Sequence, residues 1–148
     1  MPDERIVLAF DYGTKRIGVA LGNTVLRLAR PLEIIDTDVK IRRFARIEEL
    51  LVQWQPDWLV VGLPLTPTGG EQLTTRQSRR FANQLQGRYG LPVALVDERG
   101  STLEAQEIVG NRADDAAAAA IILQRYFESL PSADQNGDSD EPDARQPS

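Results

Sequence analysis

The chain contains no cysteine and no histidine, and these two absences remove most of the familiar catalytic apparatus. Excluded are a Ser-His-Asp triad, a thiolate nucleophile, an imidazole acid–base pair and a zinc site of the common Cys/His kind. Also lacking is any apolar run near the roughly 20 residues that a membrane-spanning helix needs, so no membrane partner is expected. The opening stretch MPDERIVLAF has acids where a secretion signal has bases, and its apolar part stops at Asp11. The absence of disulfides agrees with a reducing compartment, and the expected location is cytoplasmic. What remains for chemistry is carboxylates, lysine, tyrosine, hydroxyls or bound metal. Carboxylates holding Mg²⁺ or Mn²⁺ lead this short list, because oxygen ligands suit hard cations.

With 148 residues, 41% hydrophobic and 26% charged, the composition fits one globular domain able to bury a core without staples. The net charge of −5 is unevenly spread. Residues 131–148 hold five acids (Asp134, Asp138, Asp140, Glu141 and Asp143) against Arg145 alone, so this stretch carries −4 and the body −1. The overall acidity therefore does not argue against a nucleic-acid partner. Pro, Ser, Asp and Gly dominate the tail, which has the composition of a disordered segment. The expected organisation is a folded domain over 1–130 and an acidic disordered tail over 131–148.

Residues 5–11 (RIVLAFD) and 16–22 (RIGVALG) read as two strands of a hairpin around YGTK, with a third strand at about 25–34 after the Gly22-Asn23 turn. Phe44, Ile47, Leu50, Leu51 and Trp54 recur at helical spacing, predicting a helix over 38–54 that Pro56 helps to stop. WLVVGLP (58–64) has the continuous apolar character of a strand covered on both faces. A helix over 71–89 places Ser78, Phe81, Ala82, Leu85 and Tyr89 on one side and Arg76, Arg79 and Arg80 on the other. LPVALVDE (91–98) is the next strand, Ser101 and Glu104 form a capping box for a short helix to about Val109, and an alanine-rich helix spans 114–130. The order βββαβαβαα implies an α/β fold with a mixed five-stranded sheet, its first three strands antiparallel and helices flanking it.

Three carboxylates stand out. Asp11 and Glu98 each end an apolar strand, and functional groups gather at the carboxyl ends of strands in open α/β sheets. Strand alternation sends Asp97 and Glu98 to opposite faces, so one of them at most joins a given cluster. Asp114 and Asp115 open the last helix, which could bring an acid to the same edge. Each position also has a plainer explanation: Asp11 as a turn-initiating residue, Glu98 as a solvated strand end, Asp114 and Asp115 as helix caps. Convergent carboxylates repel one another unless cations lie between them, and two ions about 4 Å apart suit in-line phosphodiester displacement.

DYGTKRIGVALG, VVGLP, VDERGST and DDAAAAAIILQRYF, in this order and spacing, resemble the bacterial YqgF/RuvX family of RNase H-like nucleases, also described as Holliday junction resolvases. The resemblance covers about residues 5–130. It implies an RNase H-like fold and a divalent-metal-dependent hydrolase whose metal-binding and catalytic acids fall on Asp11, Glu98 and Asp115. The distance to Tyr126-Phe127 in the family pattern selects Asp115 over Asp114. It further implies a role in trimming the 5′ end of pre-16S rRNA, with a ribosomal subunit precursor as a partner. This chain departs from the pattern at Gly100, where relatives usually carry a larger apolar residue, and in GNRA (110–113), which is shorter than the basic loop relatives often have.

For substrate contact the candidates are Lys15 and Arg16 in the first hairpin turn, Arg76 and Arg80 on the second helix, and Arg99 beside Glu98; a solvated surface is the plainer reading of each. The Thr66–Gly70 loop offers hydroxyls and backbone N–H groups near a helix start. Trp54 and Trp58 read as core. Besides a nuclease for pre-16S rRNA, the sequence leaves open a resolvase of branched DNA and a non-catalytic RNA-binding assembly factor. DYGT also resembles the phosphate-binding hairpin of actin- and sugar-kinase-like ATPases, but 148 residues cannot supply their two domains. A monomer or a homodimer is expected, the dimer if a two-fold symmetric junction is cut.

Overall fold

The computed structural model describes residues 5–98 and 114–130, with the side chains of 114 and 115 set aside. The short helix read from Ser101, the GNRA connection and the acidic tail over 131–148 lie outside the described residues. Strands β1 (Ile6–Tyr12), β2 (Ile17–Asn23) and β3 (Ala29–Ile35) come first, followed by α1 (Lys40–Trp54), β4 (Trp58–Leu63), α2 (Leu73–Tyr89), β5 (Val93–Asp97) and α3 (Asp114–Ser129). They form one sheet in the order β3-β2-β1-β4-β5. β1 and β2, like β2 and β3, are antiparallel, whereas β1 with β4 and β4 with β5 are parallel. β1 therefore sits at the centre, where hydrogen bonding on both edges favours its unbroken apolar run.

Alternation along the strands builds two cores. Leu8 and Phe10 of β1, with Leu59 and Val61 of β4, meet Phe44, Ile47 and Leu50 of α1 and Phe81 and Leu85 of α2. Val7, Ala9 and Val60 turn the other way and meet Ala119, Ile122, Leu123 and Phe127 of α3. The apolar positions of α1 recur every three or four residues, as the sequence predicts, and Phe44, Ile47 and Leu50 of that stripe are buried, together with Arg43 beside it. Gln55 closes α1 in the left-handed region, its N–H donating to the Leu51 carbonyl (2.8 Å), and Pro56 forbids another turn. α2 starts two residues later than expected because Glu71 is occupied in a bridge with Leu65. Its Gln72 N–H donates to the buried Thr75 hydroxyl (3.0 Å), which itself donates to the Pro64 carbonyl.

β3 also begins later than the apolar run from Val25 suggests. Asn23 Oδ1 accepts the N–H groups of Val25 (3.1 Å) and Leu26 (2.7 Å), and Arg27 adopts φ 54°, so the chain is still turning there. Val25, Leu26 and Leu28 are left exposed on this turn. The turn in turn fastens α3: Gln124 accepts the Ala29 N–H (3.3 Å) and donates to the Arg27 carbonyl (3.0 Å). Two glycines let α3 lie close to the sheet. A Cβ on Gly22 would come within 2.9 Å of the Phe127 ring, and one on Gly62 within 2.4 Å of Ile122 Cδ1. Trp54 and Trp58 each pack against one of the two cores, as expected.

Candidate active site

The carboxyl ends of β1, β4 and β5 lie side by side, and their register decides which side chains share a face. On β1, Asp11 follows Ala9 by two and so belongs to the face that α3 covers. Phe10 pairs with Val61, and continuing that register sets Gly62 beside Asp11. Gly62 pairs in turn with Val96 of β5, and Leu63 with Asp97. Glu98 follows directly, its N–H donating to the Leu63 carbonyl (3.2 Å). Asp97 is exposed whereas Glu98 retains only 5% of its surface, so alternation selects Glu98 for the α3 face.

Gly62 lies between these two acids and makes their approach possible. Glu98 Oε2 is 2.9 Å from the point where a Gly62 Cβ would stand, and Ile122 crowds the same point. The Glu98 side chain thus passes over β4 toward β1 through space that any larger residue would fill. Burial first, then the nearby Asp11 charge, with a smaller push from Asp97, raise the Glu98 carboxyl to about 8 against the opposing charge of Arg125 on α3.

α3 runs from this edge toward the opposite one, since Ile122 lies over Gly62 while Phe127 lies over Gly22, near the amino end of β1. Its first turn, with Asp114 and Asp115, is therefore directed to the carboxyl edge. Among the described residues the acids gathered here are Asp11 and Glu98, with Asp97 behind them; no cluster of three occurs among the described residues.

The basic candidates are distributed differently. Lys15 and Arg16 are exposed on the β1–β2 turn, where Arg16 pairs with Asp36 (3.1 Å). Arg76 and Arg80 are exposed on α2, on the far side of the sheet from Glu98, and their neighbour Arg79 pairs with Glu71. Arg99 lies outside the described residues. In the Thr66–Gly70 loop, Thr66 accepts the Gly70 N–H at its hydroxyl (2.8 Å) and the Gly69 N–H at its carbonyl (2.8 Å), so the loop satisfies its own donors. Sequence reading did not single out Gly62 or Arg125. A glycine within the apolar run of β4 was the available signal for the first, since a strand glycine marks close approach; for Arg125 it was the lone cation of the last helix.

The family model described as "RuvX: Holliday junction resolvase" matches residues 5–129. The chain belongs to the RuvX family. A relative from Bordetella petrii is 62% identical over 132 residues, covering 88% of this chain and 100% of its own, and one from Bordetella parapertussis is 60% identical, covering 88% and 98%. Both are named, provisionally, as pre-16S rRNA nuclease. Among solved structures, T. thermophilus RuvC in complex with a Holliday junction substrate superposes with a TM-score of 0.54 at 20% identity, over 83% of this chain and 93% of that one. Fowlpox virus resolvase in complex with Holliday junction DNA gives 0.53 at 15% identity, over 86% and 99%. At these identities the likeness is one of fold, and it is the RNase H-like fold anticipated from the motifs.

Proposed function

We propose that this RuvX-family chain is a divalent-metal-dependent endonuclease that hydrolyses nucleic-acid phosphodiesters in 5′-end processing of pre-16S rRNA, in the cytoplasm. Asp11, Glu98 and Asp115 are assigned as the metal-binding and catalytic acids, with two Mg²⁺ or Mn²⁺ ions. The observation that carries this reading is the buried Glu98 carboxyl, brought toward Asp11 over Gly62 at the carboxyl edge of the sheet. An acid so placed is costly to ionise in the bare protein, and a cation between the two carboxylates removes that cost. The donor set is all oxygen, which fits hard ions. The names of the close relatives direct the choice of substrate toward pre-16S rRNA.

When bound, the ions supply Lewis acidity and charge neutralisation at the phosphoryl group. The chain's own contribution is positional. β1 and β5 fix the backbones of Asp11 and Glu98, the missing Gly62 side chain leaves the Glu98 carboxyl its path, and α3 shields it from bulk water. Arg125 favours the ionised form of Glu98, which is the form that binds a cation. Water adds to phosphorus, the P–O bond to the leaving oxygen breaks, and that oxygen takes up a proton; no histidine is required for any of these.

The test is cleavage of labelled pre-16S rRNA and of a four-way DNA junction with Mn²⁺, Mg²⁺ or chelator, by wild type, Asp11→Asn and Glu98→Gln. Metal-dependent cutting of the RNA that both substitutions abolish is the expected result. Cutting of the junction alone would favour the second reading, a Holliday junction resolvase, which the description of the matching family supports. RNA binding without cleavage, unchanged in Asp11→Asn, would replace both with an assembly factor acting on the ribosomal subunit precursor.

A further inference from the structure

Tyr12 follows Asp11 and so faces the opposite side of the sheet, where it helps to line a cavity of about 190 Å³ between the β1–β2 turn, α1 and α2. Lys40, Arg43 and Arg80 line it together with Thr14, and Asp38 is the single carboxylate on its wall. Arg43 is unusual for a charged residue in being only 5% exposed. Its Nε donates to the Thr37 carbonyl (2.6 Å) and its guanidinium lies 5.4 Å from the centre of the Tyr12 ring. Its Nη2 is buried with no hydrogen-bond partner among the described residues. A buried cationic donor left in that condition is destabilising unless something else satisfies it.

We infer that this cavity is a second, non-catalytic anion site that takes one phosphate of the polynucleotide strand being processed. A guanidinium anchored at Nε and set over a ring is held in one orientation on the cavity wall, and its planar fork is the geometry that matches phosphate oxygens. Lys40 and Arg80 are exposed at the rim and bring the cations to three against Asp38. The Thr14 hydroxyl, on the turn that joins β1 to β2, adds a neutral donor. The assignment to a strand rather than to free phosphate rests on the nuclease reading above: the cavity opens at the same sheet edge as Asp11, one residue away, but on the other face. A strand crossing that edge presents one phosphate to the acids and another to Arg43. The arrangement also gives Arg80 a role distinct from Arg79, which is held by Glu71.

Titrating inorganic phosphate into the full-length, metal-free protein should shift the amide signals of Thr14, Lys40 and Arg43 saturably, together with the Arg43 Nε–H signal. A response confined to other residues, or none, overturns the site. In chelator, labelled single-stranded RNA should bind the Lys40→Gln/Arg80→Gln protein about tenfold more weakly, with the log–log salt slope reduced by about 0.7, the value for one phosphate contact on a single strand. Both side chains are exposed, so circular dichroism should show an unchanged fold. Arg43→Lys keeps the charge but loses the fork, and should weaken phosphate binding as well. Phosphate shifts intact with unchanged RNA affinity and slope would make this a free-anion site and overturn the assignment to the strand. None of these measurements depends on cleavage, so a protein that fails to cut RNA but passes them separates the two conclusions.

Discussion

The two faces of the sheet are made from the same strands but to different ends. One face alternates Leu8, Phe10, Leu59 and Val61 beneath two helices, and its aromatic cluster has Phe81 against Phe10 (5.8 Å between ring centres) and Tyr12 (4.9 Å). The other carries Val7, Ala9, Val60 and Gly62 beneath the alanine-rich α3. Large side chains on the first face provide apolar burial; small ones on the second let a helix approach and leave space in which a carboxylate can be buried. On the assignment proposed above, stability and chemistry fall to residues of opposite parity, neighbours in sequence but separated by the thickness of a strand.

Substitutions of opposite parity test that division. Asp11→Asn should reduce cleavage by at least about a thousandfold, ~4 kcal/mol in the barrier, while urea denaturation shows little change; a large loss of stability would show that the acid belongs to the scaffold. Phe10→Ala, one residue earlier, should do the reverse, costing about 3–5 kcal/mol of stability with the cleavage rate per folded molecule preserved. Gly62→Ala should affect both faces' concerns at once. Its Cβ meets Ile122 at 2.4 Å and Glu98 Oε2 at 2.9 Å, so about 1–3 kcal/mol of stability should be lost, together with metal affinity measured by calorimetry. Preserved metal affinity would sever the link drawn between that glycine and Glu98.

For Glu98 the stability effect is modest, and its sign is the sharpest test. Its carboxyl is raised from the usual 4.5 to about 8 in the folded chain, so between these values the native state holds a proton that the unfolded chain has released. Stability must then fall as pH rises through that window. Denaturation in chelator should show wild type less stable at pH 8 than at pH 5, by about 1–3 kcal/mol, and Glu98→Gln should flatten the difference. A variant more stable than wild type at pH 8 yet devoid of activity is the expected outcome, and a pH-independent wild type would contradict it.

Much of this was legible in the sequence because strands and amphipathic helices write their periods locally. The five strands follow from short apolar runs bounded by turn residues, and alternation admits only one of Asp97 and Glu98 to the cluster; it was the family resemblance that named Glu98. The start of β3 was misjudged because Val25, Leu26 and Leu28 look like a strand, while one Asn23 side chain holding two N–H groups outweighs that pattern. Arg43 does not stand out in the sequence, because its burial depends on Tyr12 and the Thr37 carbonyl, which the helical period does not reveal. Gly62 and Arg125 likewise owe their importance to partners on other elements. Placing Asp115 in the acid cluster rests on family resemblance and on the direction of α3.

The site draws on the beginning and the end of the domain, Asp11 on β1 and the helix from Asp114 to Ser129 that covers it. At about 5–20 residues per second of synthesis, a ribosome makes Asp11 several seconds before it completes that helix. On the proposed assignment, a nascent chain already holding its first acid therefore has no closed site with which to cut RNA, including the RNA of the particle that is making it.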